Sequence, residues 1–143
     1  MASDLSRFLK AQEYDYARAL SEIRSGRKRS HWRWYIFPQI QGLGFSSTAQ
    51  YYAIRDLEEA KDYLAHPVLG ARLKEISSAL LELDGLSAGE IFGYPDDLKL
   101  RSSMTLFRLA DLECEIFQSV IDKYYDGKPD SRTVDIVQSL KKC

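Results

Sequence analysis

Residues 98–111 read LKLRSSMTLFRLAD. Leu100, Met104 and Phe107 fall on one helical face, and other leucines, with hydroxyl residues among them, cover much of the rest. A helix that is apolar on most sides is buried among other elements. We therefore predict a central helix at about residues 98–111, with the rest of the chain packed around it.

The same three-and-four spacing of apolar residues continues on both sides of this segment. No stretch alternates for long with the period of two that a half-buried strand needs. Capping residues and glycines mark where each helix begins and ends. The predicted caps are Ser30 for the helix at 31–37, Asp130 or Ser131 for the last helix, and two capping boxes, Asp56 with Glu59 and Ser87 with Glu90. We predict an all-α, compact single-domain bundle of about seven or eight helices, with a short turn at 87–92 and helices at about 4–25, 31–37, 46–54, 57–65, 67–84, 98–111, 116–127 and 131–140.

Length and charge restrict the classes of function. The chain has 143 residues, which fits a single helical domain over 1–143, and its formal net charge is -1. A protein devoted to duplex nucleic acid usually carries a large basic excess, so duplex nucleic acid is not expected as a partner. A small phosphate ligand needs only two or three cations, and a local cluster can supply these.

No apolar run approaches the ~20 residues that span a bilayer, and the N-terminus lacks the apolar core of a secretory signal. We therefore expect no membrane partner and a cytoplasmic location. Two cysteines and two histidines without ligand spacing give no metal site. No cofactor is expected, and the sequence does not indicate an oligomeric state.

Residues 27–44 read RKRSHWRWYIFPQIQGLG and combine cations with aromatic rings. Guanidinium groups bind phosphate oxygens in a fork, and an aromatic face stacks on a base. This composition suits a ligand that carries both phosphate and a flat ring. The predicted ligand-binding residues here are Arg27, Lys28 and Arg29 for phosphate, Trp32 and Trp34 for a ring, and Gln39 for a base edge or ribose.

The same segment has a plainer interpretation. Aromatic side chains are mainly buried hydrophobic residues, so Trp32, Trp34 and Phe37 could anchor the core. The three cations at 27–29 would then form a solvated turn, and Gln39 would tie down the loop that follows.

A second polar cluster lies at the start of the predicted central helix. The first turn of a helix presents free amides and the positive end of its dipole, which favours anions. We predict an anion site there that uses Lys99, Ser102 and Ser103. The local alternative is that the hydroxyls bond the carbonyl one turn back and that Lys99 extends to water.

One residue of the 27–44 segment is predicted to take part in catalysis. An unperturbed histidine side chain has a pKa near ~6.5, so His31 could act as a general acid or base. The alternative is that His31 is a hydrogen-bonded structural residue. No nucleophile, Walker or dinucleotide-binding motif is present in the sequence.

The blocks HWRWYIFPQ and KLRSSMTLF, with EEAKDYLAHPVLGARLKE between them, closely resemble a mostly helical family. That family is domain-of-unknown-function family eighteen-ten, sometimes labelled calpastatin-like, and the resemblance covers Phe8 to about Val137. The calpastatin label does not fit, because that inhibitor is largely disordered and this composition is globular. Arg33 stands where the family is expected to have methionine, and the position is expected to face solvent.

The order of features is also similar to the NADAR group of NAD and ADP-ribose associated proteins. The matching pieces are residues 30–32 and Lys99, Met104 and Phe107. This resemblance implies orthogonally packed helices, a pocket for an ADP-ribose-like ligand and N-glycosidic bond cleavage. Ser30 replaces the glutamate of that group, so a carboxylate for the transition state would have to come from elsewhere, such as Asp96 or Asp97.

Three functional interpretations follow. The first is an enzyme or sensor for a phosphorylated nucleotide or ribosyl compound, with a shared pocket between residues 27–44 and the start of the 98–111 helix. The second is a non-enzymatic module that docks a protein or single-stranded nucleic acid through an exposed basic-aromatic segment. The third gives the recognisable blocks a purely structural role. We favour the first.

Overall fold

The structure is a computed structural model that describes residues 4–141. Within that range the chain forms nine α-helices and no β-strand, so the predicted all-α class is confirmed. The short turn predicted before Gly93 is itself a helix, which raises the count above eight. The helices are α1 (Ser6–Arg24), α2 (Arg33–Ile36), α3 (Ser47–Tyr52), α4 (Leu57–Ala65), α5 (Leu69–Leu81), α6 (Ala88–Phe92), α7 (Asp96–Ala110), α8 (Glu115–Tyr125) and α9 (Ser131–Lys141).

Side-chain caps explain where several helices begin. Ser87 accepts from the amide of Glu90, and the Glu90 carboxylate accepts from the amide of Ser87, which forms a complete capping box at α6. Asp56 caps α4 by accepting from the amide of Glu59. The capping box predicted at α4 is only half formed, because Glu59 accepts from the amide of Arg55 and not from that of Asp56.

Helix α7 is the centre of the fold, as predicted. Leu100, Met104, Leu106 and Phe107 on α7 are fully buried. The helix contacts α4, α6, α8 and α9. The charged residues of its first two turns, Asp96, Asp97, Lys99 and Arg101, are only half-buried, whereas Ser102, Ser103 and Thr105 are buried.

Helix α2 is shorter than predicted and lies deeper. The 31–37 helix was expected to start at a Ser30 cap, but the Ser30 hydroxyl donates to Glu22 of α1 and caps nothing. The helix begins only at Arg33. Trp32 is fully buried and Arg33 is 3% exposed, so the expectation that Arg33 faces solvent is wrong. Its apolar neighbours Trp32 and Ile36 carry this short helix into the core.

Within residues 4–141, no helix combines the length and the apolar character that crossing a membrane requires.

Candidate functional site

A cavity of about 360 Å³ opens between α7, α9 and the segment that follows α2. We call it the α7–α9 cavity. Its wall carries three cations and one carboxylate, with amide, hydroxyl and apolar groups between them. The lining residues are Gln39, Leu43, Pro95, Leu98, Lys99, Arg101, Ser102, Asp130 and Arg132.

Two of the three cations on the wall, Arg101 and Lys99, differ in the hydrogen bonds that their side chains make. Arg101 is fixed, because its Nε donates to the carbonyl of Lys128 at 2.8 Å. The Lys99 ammonium makes no hydrogen bond or ion pair with another residue of the described chain. Burial and the positive charge of Arg33 lower the pKa of Lys99, while Asp96 opposes them. A partly desolvated ammonium without a close counter-ion is a receptive group for an anion.

The hydroxyls on this side of α7 are largely committed to local bonds. Ser102 Oγ lies 3.3 Å from the carbonyl of Leu98, one turn back, and 3.1 Å from Oδ2 of Asp130. The same Oδ2 accepts from the amide and the hydroxyl of Thr133 in the first turn of α9. Asp130 therefore joins α7 to α9, and the local interpretation of the serine describes much of what it does.

Arg33 lies behind the wall of the cavity. Its Nη1 donates to Oε1 of Gln39 at 3.1 Å. Its Nε and Nη2 are buried and have no hydrogen-bond partner among residues 4–141. The nearest carboxylate, Asp96, is 3.7 Å from Nε and is shared with Lys28, whose Nζ lies 3.0 Å from it. Burial lowers the pKa of Arg33 to about 10, and Asp96 offsets only part of that effect.

The predicted phosphate-holding residues at 27–29 lie elsewhere. Arg27 and Lys28 line a separate depression beside α6. The Lys28 ammonium is engaged with Asp96, and Arg27 and Arg29 are exposed. Their loop is organised by Glu22, which accepts from the amides of Arg29 and Ser30.

His31 and Trp34 occupy a third place. The His31 ring is exposed and packs against Trp34, with 6.4 Å between ring centroids. Trp34 lines a shallow aromatic depression with Tyr35, Tyr51, Tyr52 and two hydroxyl residues of α3. His31 is not among the residues that line the α7–α9 cavity. The α7–α9 cavity therefore does not bring His31 and Lys99 together, contrary to the expectation of one shared pocket.

Three further predicted site residues serve the fold in this structure. Trp32 is fully buried, donates from Nε1 to Glu22 and packs against Phe37 and Phe92, so it has no face free for a ligand ring. Ser103 is fully buried in the core face of α7, and among the described residues its hydroxyl has no hydrogen-bond partner, so it does not make the predicted bond to the carbonyl one turn back. Asp97 accepts from the amide of Leu98 beside it, and its carbonyl accepts from Tyr125.

The structure also shows cavity residues that sequence reasoning did not include. Arg132 enters the site from α9, and Arg33 backs it from α2. A helix start at Asp130 or Ser131 was predicted, but nothing in the spacing brings Arg132 beside Lys99. Within residues 4–141, no group of three or more His, Cys, Asp or Glu side chains could hold a metal ion.

Comparisons with known proteins extend over nearly the whole chain. A family model described as "Protein of unknown function (DUF1810)" matches residues 2–137. Among solved structures, the crystal structure of the conserved hypothetical protein Rv1873 from Mycobacterium tuberculosis is similar, with 49% sequence identity and a TM-score of 0.93. The match covers 94% of this chain and 96% of that one. No curated protein matches the sequence.

Proposed function

This chain belongs to the DUF1810 family, whose description assigns no activity, and we propose from the site itself that the protein binds a small phosphorylated ligand in the α7–α9 cavity. The observation that carries the proposal is the convergence of Lys99, Arg101 and Arg132 on one concave wall. Only one carboxylate, Asp130, lies among them. A local excess of positive charge on a concave wall favours an anionic ligand over a neutral or cationic one.

The donors of the wall match the chemistry of phosphate. Guanidinium groups present paired donors to phosphate oxygens, and a lysine adds a point charge. The cavity also lies at the N-terminus of α9, whose dipole favours negative charge. The apolar side chains of Leu43, Pro95 and Leu98 give the remainder of a ligand a surface to pack on.

The more specific form of the proposal is a phosphorylated ribosyl or nucleotide compound, such as an ADP-ribose-like ligand. Gln39 on the wall supports it, because an amide both donates to and accepts from ribose or base groups. The volume lies at the lower end of the range for small-molecule sites. Cleavage of an N-glycosidic bond is supported by the NADAR resemblance alone. The carboxylate of the cavity wall, Asp130, already holds Ser102 and Thr133, so our proposal concerns binding.

The alternative of a docking module depends on an exposed basic-aromatic segment. Trp32 is buried, and Lys28 is paired with Asp96. The segment therefore presents fewer exposed aromatic rings and free cations than its sequence predicts, although Trp34 and His31 remain accessible. This arrangement favours the cavity as the site of function.

A calorimetric and thermal-shift titration tests the proposal. The ligands are ribose 5-phosphate, AMP, ADP-ribose and NAD, with ribose and adenosine as uncharged controls. A ligand at 100 times its dissociation constant stabilises the protein by about 2.7 kcal/mol. We expect stabilisation by phosphorylated compounds only, and weaker binding in the Lys99→Met and Arg132→Met variants.

Arg18→Met provides the matched control, because Arg18 is a largely exposed arginine on α1. This variant is expected to bind like the wild type. The proposal fails if no phosphorylated compound binds at millimolar concentration, or if Lys99→Met and Arg132→Met both retain wild-type affinity.

A further inference from the structure

We infer that the α7–α9 cavity selects a phosphate monoester over a diester, and that Gln39 holds the place of one ligand oxygen on Arg33 until the ligand arrives. The inference rests on the proposed function and specifies the anionic group that the cavity takes. Arg33 becomes the residue that sets this specificity, although it lies behind the wall and was expected to face solvent.

The guanidinium of Arg33 has too few hydrogen-bond acceptors around it. A guanidinium has five N–H donors, and this one makes a single hydrogen bond, to Gln39. Its Nε and Nη2 are buried without a hydrogen-bond partner, and the side chain is 3% exposed. Leaving buried charged donors unpaired is costly, and native structures rarely keep such groups without a reason. A phosphate that reaches the guanidinium from the Gln39 side would bond Nη1 and Nη2, and its charge would compensate the guanidinium as a whole.

The available carboxylate does not complete this coordination. Asp96 stands 3.7 Å from Arg33 Nε, which is beyond hydrogen-bond distance. Its other oxygen lies 3.0 Å from Lys28 Nζ, so the charge of Asp96 is divided between two cations. Arg33 therefore retains much of its positive charge uncompensated.

Gln39 connects this charge to the cavity. Its Oε1 accepts from Arg33 Nη1, and the same residue forms part of the cavity wall. An amide oxygen is a neutral acceptor, and an ionised acceptor forms roughly twice as strong a bond. A phosphate oxygen that displaces Oε1 exchanges a weak acceptor for a strong one. The released amide can then donate to the ligand.

The local charge balance indicates which phosphate fits. Four cations line or back the cavity and two carboxylates oppose them, which leaves an excess of two positive charges. A phosphate monoester carries roughly -1.5 to -2 at pH 7, whereas a diester carries one negative charge. The second charge of the monoester is the one that Arg33 compensates. The groups counted are Arg33, Lys99, Arg101 and Arg132 against Asp96 and Asp130.

Methyl phosphate and dimethyl phosphate test the inference, because they differ in this second charge and in little else. Affinities are measured by NMR titration of the whole chain at pH 7.5. We expect wild type to prefer methyl phosphate by roughly tenfold or more. In Arg33→Met the preference is expected to fall to about threefold or less, with residual binding through Lys99 and Arg132. Arg18→Met is expected to keep the full preference.

The Arg33 Nε–Hε signal of the wild type gives a second measurement that needs no variant. It is expected to shift with methyl phosphate and to stay in place with dimethyl phosphate. Equal affinities for the two probes in the wild type, or an Arg33 signal that methyl phosphate leaves unmoved, overturn the inference while leaving phosphate binding intact. Failure of both probes to bind overturns the proposed function as well.

Discussion

Arg33 and Gln39 are joined by one hydrogen bond of 3.1 Å, and through it the buried helix α2 contacts the wall of the α7–α9 cavity. Arg33 contributes a positive charge that its surroundings only partly compensate. Gln39 contributes a neutral acceptor at the point where a ligand could reach that charge. The predictions below follow from this pair and from the groups around it.

The Gln39→Glu variant tests whether Arg33 lacks a negative partner. A carboxylate at this distance forms a charge-assisted bond with the guanidinium, so we expect the ligand-free protein to gain about 1–2 kcal/mol in free energy of unfolding. The variant should also bind methyl phosphate at least about tenfold more weakly, because its own carboxylate occupies Arg33. Urea denaturation and NMR titration measure the two effects.

Gln41→Glu is the control for this change, because Gln41 lies in the same segment and is exposed. It is expected to change neither quantity appreciably. A Gln39→Glu protein less stable than the Gln41→Glu protein would mean that Arg33 is already adequately paired.

The pH dependence of phosphate binding reports the state of Lys99. Burial and the charge of Arg33 lower the pKa of Lys99 from the ordinary 10.5, so its ammonium loses the proton at a lower pH than a surface lysine does. Only the protonated form attracts an anion, and affinity is therefore expected to decline as the pH rises through this lowered pKa. On the acid side, affinity falls below about pH 6, where the monoester itself gains a proton.

The Lys99→Arg variant distinguishes the alkaline decline in affinity from the acid decline, because an arginine keeps its charge throughout this range. We expect the alkaline decline to disappear in this variant and the acid decline to remain. Calorimetric titrations with ribose 5-phosphate between about pH 5.5 and 9.5 measure both limbs. An unchanged alkaline limb in Lys99→Arg would assign that titration to another group.

Sequence reasoning succeeded where local physics determines the structure. The apolar faces around Met104 predicted the buried helix α7, and Ser87 with Glu90 predicted the start of α6. Three site residues, Gln39, Lys99 and Ser102, do line one cavity. For each of these two helices, the residues that determine its start or its buried face lie within one or two turns of one another.

The predictions from sequence were wrong where residues far apart in the chain determine the local structure. Ser30 was expected to cap α2, but Glu22 on α1 takes its hydroxyl. Arg33 was expected to face solvent, at a position where the family is expected to have methionine. A four-residue helix is too short for its periodicity to show which face is buried. The cavity depends on Arg132 coming beside Lys99, which only the packing of α9 on α7 determines.

The loop before α2 is expected to show acid sensitivity through Glu22. Burial raises the pKa of this carboxyl, but bonds from the Arg29 amide, the Ser30 hydroxyl and amide and the Trp32 indole outweigh burial and lower it below 4.5. The carboxylate therefore contributes stability that is present above the unfolded pKa and is lost as the pH falls through the lowered folded value.

Glu22→Gln tests this contribution. Because the side chain is partly exposed, we expect a loss of only about 1–2 kcal/mol at pH 7, which shrinks toward pH 3. Urea denaturation at several pH values measures it. Glu13→Gln, at an exposed position on α1, is the control and should change little. A loss that stays constant across this range would contradict the assignment.

The two tryptophans are predicted to differ sharply in solvent access. Trp32 is fully buried among phenylalanines, whereas Trp34 lies at the edge of the aromatic depression. In Trp34→Phe the remaining emission, from Trp32, should be blue-shifted and poorly quenched by acrylamide. In Trp32→Phe, Trp34 should be readily quenched, and stability should fall by about 1–3 kcal/mol. Strong quenching of Trp32 would mean that this side chain is exposed. The basic-aromatic segment would then offer the surface that a docking module needs.

Asp130 is predicted to stabilise the fold at the expense of anion binding. Its Oδ2 accepts from Ser102 and from the amide and hydroxyl of Thr133, and it stands on the wall of the α7–α9 cavity. Asp130→Asn removes a negative charge from the wall and weakens the bonds that join α7 to α9. We expect a loss of about 1–3 kcal/mol in stability and severalfold tighter binding of methyl phosphate.

Denaturation and NMR titration measure these opposite effects on the same protein. Asp135→Asn is the control, since it removes the same charge from an exposed position on α9. It is expected to leave stability and binding close to wild type, because water and salt screen an exposed charge. Weaker phosphate binding in Asp130→Asn would show that this carboxylate helps to hold the ligand. The positive charge of the wall would then not by itself account for binding.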